Sequence, residues 1–236
     1  MEFTIQEELT NIFYSCICRQ LSELRHYLTI IDNYIIQSKR DEISELEQKY
    51  DTLSDSRKNE FWQENYPVHW DEIFGYNLRS SFVLLLCNTI EPYMSMVCSN
   101  VKTINNSNLS VDDLKGSLYE RTRKYLEVVG GFSSPKDREW EIMGDIYALR
   151  NVITHNGAMI GGSNKEKRIR SLMKKSPGLS VPSEGMLSIE KSFCEYAIDN
   201  VETFVNGLYF STTVSVPKFN ASTKITYETA HDEASA

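Results

Sequence analysis

Arg150, Asn151 and His155 stand together in the run Ala148-Leu-Arg-Asn-Val-Ile-Thr-His-Asn-Gly157. These residue types suit one reaction, cleavage of an RNA phosphodiester without a metal. RNA carries its own nucleophile, the 2′-hydroxyl. The protein must then supply a proton acceptor and donor near neutral pH, and His is the side chain that titrates there, near ~6.5. It must also supply fixed positive charge where the phosphorane forms. Arg does so with a planar fork that matches two phosphate oxygens. Asn151 can orient the scissile group without adding charge, and Thr154 lies in the same segment as a supporting residue. One His can hardly be acid and base at once, so a symmetric dimer that brings two copies of the set to one site is expected.

The spacing predicts how a helix would present these groups. At ~100° per residue, Asn151 and His155 are neighbours on one face, and Gly144 and Ala148 continue the line. A stripe of Gly, Ala, Asn and His suggests a shallow polar groove. Upstream, Glu91 falls in line with Val83, Cys87, Met94 and Cys98, an apolar face. A carboxylate there needs a cation, and Arg150 is the expected partner. Downstream, Lys165, Lys167, Arg168, Arg170, Lys174 and Lys175 stand against one acid, Glu166. This basic run is the natural rest for an RNA backbone. The competing explanations are plain ones. A charge run can be a solvated helix face, and His155 can serve the negative end of a helix while Arg150 pairs with Asp145 or Glu91.

The elements that must hold these residues are nearly all helical. Ile5, Leu9, Ile12, Phe13, Cys16, Leu24, Tyr27, Leu28, Ile31 and Ile35 recur at helical spacing over residues 5–35, and the charged stretch 39–58 continues that helix or forms a second, solvated one. A second long helix is predicted over 71–98, with Pro92 expected to kink or break it. Ser110 starts another, which ends at Gly130-Gly131. Ser134 as cap with Pro135 in the first turn opens the helix that runs to Asn156-Gly157. Leu179-Ser-Val-Pro and Met186-Leu-Ser-Ile read as a short β-hairpin. A final helix spans about 190–208, followed by a polar tail. The expected fold is all-α: an antiparallel helical bundle over 67–210, a long N-terminal helix over 1–66, a small hairpin, and a tail over 211–236.

Composition bounds the partners. The chain has 236 residues, 41% hydrophobic, with a formal net charge of −8. So acidic a chain is not a general nucleic-acid coat, and any RNA contact must be local. The five cysteines form no C-x-x-C pair and the four histidines are scattered, so no metal or other cofactor is expected. The first residues lack a basic start with an apolar run, and the longest apolar stretch, Phe82–Cys87, is far short of a bilayer span. The expectation is a soluble, cytoplasmic protein with no membrane partner.

Arg, a polar residue, three more residues and His, at the end of a helix in a small bundle, resembles the HEPN superfamily. The likeness covers roughly residues 70–210, and the helix carrying Glu91 is similar to that family's first core helix. The resemblance implies a homodimer whose motifs face each other across a cleft, with Arg150 and His155 as the catalytic pair and Asn151 as the polar residue after the Arg. It also implies RNA as substrate, and a place in a toxin–antitoxin or anti-phage defence system with an antitoxin or other defence protein as partner. Some HEPN domains do not catalyse, so the alternative is a helical module that binds a partner protein or a nucleotide ligand.

Overall fold

The computed structural model describes residues 5–161, 165–181 and 185–214. The helices are α1 (Ile5–Asp51), α2 (Asp55–Asn65), α3 (Tyr76–Ile104), α4 (Leu118–Val128), α5 (Asp137–Asn156), α6 (Glu166–Lys175) and α7 (Lys191–Val214). A π-helical turn, Trp70–Gly75, leads into α3, and a 3₁₀ turn, Val111–Asp113, precedes α4. Two strands, β1 (Leu179–Ser180) and β2 (Ser188–Ile189), pair antiparallel with Leu179 opposite Ile189. The chain is thus all-α with one small hairpin, as its periodicity predicted. Pro182 and the tail from 215 onward lie outside the described residues, whereas 211–214 extend α7 as helix.

Helices α3 and α7 form the middle layer. On one side α1 packs against both; on the other α5 does, with α4 and α6 flanking it. Phe82, Leu86, Ile90 and Met94 of α3 meet Phe193, Ile198, Phe204 and Leu208 of α7 in a single apolar core. The N-terminal helix belongs to that core, since Ile17, Leu21 and Leu28 are buried in it. Each such side chain contributes ~1.5–3 kcal/mol on burial. Polar clamps fix the register of α1 on its neighbours. Asp32, buried, accepts from Arg79 at 2.8 Å and lies 3.7 Å from Lys191. Arg25 reaches Asp199 and Glu202 at 2.7 and 3.0 Å, and Tyr14 stacks on Tyr209.

Several boundaries differ from expectation. Helix α3 passes through Pro92 without a break; Pro92 is exposed, so water can reach the carbonyl left unpaired by the missing N–H. Ser110 opens only the 3₁₀ turn, and Ser117 caps α4 through a reciprocal capping box with Glu120. Ser134 does not cap α5. The Ser134–Pro135 bond is cis, and the Ser134 carbonyl accepts from the Ser211 hydroxyl of α7 at 2.7 Å. The cap passes to Lys136, whose N–H donates to Glu139. An 18-residue stretch within the helical segment Asp55–Ile104 is apolar enough to cross a bilayer, but half of it is buried inside the protein, as in a core helix.

Candidate functional site

Helix α5 carries the motif and is the most enclosed helix of its layer, with every residue from Met143 to Leu149 buried. Its apolar sides meet α3 and α7, and its motif emerges only in the last turn. Gly157 ends it in the left-handed conformation at φ 55°, its N–H donating to Val152. Ala158 follows at φ 64° with its methyl fully buried. A left-handed alanine costs ~1–2 kcal/mol, and the burial of that methyl offsets part of this cost. The chain is then tied to the β element. Leu187 N–H donates to the Ala158 carbonyl at 3.0 Å, and Met159 bridges Met186. The emerging turn, Ile153–Asn156, is therefore held at both ends.

Arg150 is half-buried, and its Nη1 donates to the Asn151 side-chain oxygen at 3.2 Å. Its Nε is buried with no partner, and so is the hydroxyl of Tyr147, one turn earlier. Glu91 and Cys87, four residues apart on α3, lie within the charge field of this pair. Burial pushes the Cys87 thiol up to about 12, with Arg150 opposing and Glu91 adding. Burial likewise raises the Tyr147 phenol, again with Cys87 and Glu91 adding and Arg150 opposing. The expected Arg150–Glu91 ion pair is not formed, and Asp145 does not pair with Arg150 either. Of the five partly buried arginines among the described residues, Arg25, Arg79, Arg121 and Arg123 each hold a carboxylate and Arg150 does not.

The remaining motif residues separate by role. Thr154 donates to the Arg150 carbonyl at 2.8 Å, a bond within the helix that turns its hydroxyl away from any ligand. His155 is exposed and makes no hydrogen bond or ion pair among the described residues. Five helical positions separate it from Arg150, about 140° around the axis and ~7.5 Å along it. One chain therefore does not bring the imidazole onto the guanidinium. The expected groove does not exist, because Gly144 and Ala148 are buried. Gly144 instead leaves room for Arg168, whose Nη2 would overlap a Cβ at that position.

The basic run forms α6, docked through Ile169 and Leu172. Three of its cations hold carboxylates, two across to α5 and one within the helix. Arg168 bonds the buried Asp145 through Nε and the Glu141 carbonyl through Nη2. Arg170 pairs with Glu166 at 2.9 Å and Lys175 with Glu141 at 3.0 Å. Lys165 lies close enough to Glu120 to favour its charged form. Lys167 and Lys174 are exposed, with no ion pair among the described residues. Tyr147 is the neighbour that sequence reasoning missed; its place three residues before Arg150 was the available signal. Among the described residues no group of three or more His, Cys, Asp or Glu could hold a metal. No family model, curated protein or solved structure matches the chain.

Proposed function

We propose that the protein is a metal-independent endoribonuclease that works as a homodimer. The supporting observation is Arg150, a half-buried guanidinium steered by Asn151, with an unpartnered Nε and no carboxylate to neutralise it. Arg79 and Arg121 also leave a buried Nε unpartnered, but each holds a carboxylate, whereas Arg150 has no anion. A phosphate oxygen is the natural acceptor for such a fork. His155, exposed one turn further on, is the proton-transfer group, and a second copy supplies the imidazole that a single chain holds too far round the helix. Lys167 and Lys174 are the cations left to meet an RNA backbone. The motif's similarity to HEPN toxins extends the proposal to growth arrest or anti-phage defence, with a partner protein as restraint.

The test is purified protein with total RNA in EDTA, beside induction in cells. Wild type should give discrete fragments and arrest growth. His155→Ala should lower cleavage by about 10²-fold or more, as loss of a general acid–base group does. Equal cleavage by His155→Ala, or intact RNA with wild type, would overturn the reading in favour of the non-catalytic helical module.

A further inference from the structure

Helix α1 has two apolar stripes. One, running through Ile17, Leu21, Leu28 and Ile35, is buried against α3 and α7. The other lies about 120° away around the helix and is open to solvent. Its Ile5, Ile12, Ile30 and Tyr34 are 79%, 56%, 53% and 65% exposed, and Leu9, Phe13 and Tyr27 are exposed beside them. Unpartnered apolar side chains in a row, rather than scattered singly, mark an interaction surface.

The order of the row identifies the occupant. From Ile5 the stripe steps by four, three and four residues to Leu9, Ile12 and Cys16. Seven residues on stands Glu23, the polar counterpart of Cys16, and from there the row continues by four, three and four to the apolar Tyr27, Ile30 and Tyr34. It reads the same from either end, with its midpoint between Arg19 and Gln20. A second copy laid antiparallel about that midpoint sets Ile5 opposite Tyr34, Leu9 opposite Ile30 and Ile12 opposite Tyr27, each pair formed twice. That is the self-complementarity a two-fold interface requires. At the centre Arg19 comes within a turn of the other copy's Glu23, opposite charges also formed twice. Neither residue has an ion pair within its own chain among the described residues. A parallel pair in register would match the apolar spacing but set Arg19 against Arg19 and Glu23 against Glu23, like charges that repel.

We infer that this face of α1 joins two copies of the chain as an antiparallel, two-fold helix pair. The stripe is ~45 Å long and ~10 Å wide, about 450 Å² in projection from each copy. The total of roughly 900 Å² falls in the range of weak, transient interfaces, so the dimer is expected to be reversible. Helices α3 and α7 stand between α1 and α5, so this surface is distinct from the Arg150 site.

The experiment is sedimentation velocity of the full chain from 5 to 50 μM, with no RNA present. Wild type should reach at least twice its 27.2 kDa chain mass. Ile12→Glu with Ile30→Glu should halve the assembly mass while the helical circular dichroism is kept. Arg19→Glu should weaken association several-fold, and adding Glu23→Arg should restore it. On a Cys16→Ser background, Gln20→Cys should cross-link between copies under mild oxidation. In the otherwise natural chain Cys16 should not, since an antiparallel pair separates the two Cys16 by ~10 Å along the axis. A wild-type mass of 27.2 kDa at 50 μM overturns the proposal. So does an assembly unaffected by the Glu variants, or cross-linking through Cys16 in place of Gln20→Cys.

Discussion

The ion pair between Arg168 and Asp145 tests whether α6 is built to bind RNA or to stay folded. Asp145 is buried in α5, its side chain 6% exposed, while that of Arg168 is 43% exposed. Arg168→Ala leaves the carboxylate under the helix without its cation and removes the bond to the Glu141 carbonyl. Breaking a fully buried pair from one side costs ~3–5 kcal/mol. Because Arg168 lies at the rim, water replaces part of what is lost, and the expected cost is about 1.5–3 kcal/mol. With a urea m-value near ~3 kcal/mol/M for a chain of this size, the unfolding midpoint should fall by ~0.5–1 M. Arg168→Lys should recover little, because the ammonium carries its donors on one atom and cannot span Asp145 and the Glu141 carbonyl as Nε and Nη2 do. Asp145→Ala combined with Arg168→Ala should cost at least ~1 kcal/mol less than the two single changes added. Lys167→Ala and Lys174→Ala, which break no contact, should stay within ~0.5 kcal/mol of wild type. An unchanged midpoint for Arg168→Ala, or strict additivity in the double variant, would refute the assignment of Arg168 to the fold.

Two further outcomes follow from the titrating groups. Burial pushes Cys87, Cys98 and Cys194 each up to about 12, so at pH 8 only about 1 in 10⁴ of each is thiolate. A disulfide reagent should therefore label Cys16 quickly and Cys18 more slowly in the folded protein, and reach the other three only after unfolding. The Glu120 carboxyl is lowered, first by the Ser117 N–H and then by the Ser117 hydroxyl. Its contribution to α4 is full above the ordinary carboxylate value of 4.5 and is lost as pH falls through the lower folded value. Ser117→Ala should move the Glu120 titration, followed by NMR, back toward that ordinary value; no movement would mean the hydroxyl does not stabilise the charge.

How much of this was legible in the sequence depended on range. Features written within one or two turns read directly. The left-handed Gly157 stops α5 where the periodicity ends, the β1–β2 hairpin lies where two short runs flank a turn segment, and helix dominates throughout. Features set by distant partners did not read. Ser134-Pro135 has the form of a helix start, but the Ser134 carbonyl is held by Ser211, 77 positions away. The N-terminal helix looked like an extension because nothing near Asp32 in the chain signals its burial against Arg79 and Lys191. Propensity ranks these local choices, and tertiary partners then override them.

The candidate site divides along the same line. In the sequence Arg150 stands in the motif and Arg168 in the basic run after it, and both read as phosphate-facing. In the structure they take opposite roles around α5. Arg168 crosses the helix over Gly144, where no Cβ stands in its way, and is neutralised by Asp145 of that same helix. Arg150 emerges six positions later, and its side-chain hydrogen bond goes to a neutral amide. Glu91 is near enough to act on Cys87 and Tyr147 but makes no ion pair with the guanidinium, so the donors of Arg150 stay unfilled. A fold that needed only stability could bring that carboxylate into contact, as it does for Arg25, Arg79, Arg121 and Arg123. An anion that completes the Arg150 fork would regain the hydrogen bonds the protein leaves unmade, ~1.5–3 kcal/mol for each bond to a charged group. Free phosphate or a dinucleotide should therefore stabilise wild type against heat and leave Arg150→Ala unmoved.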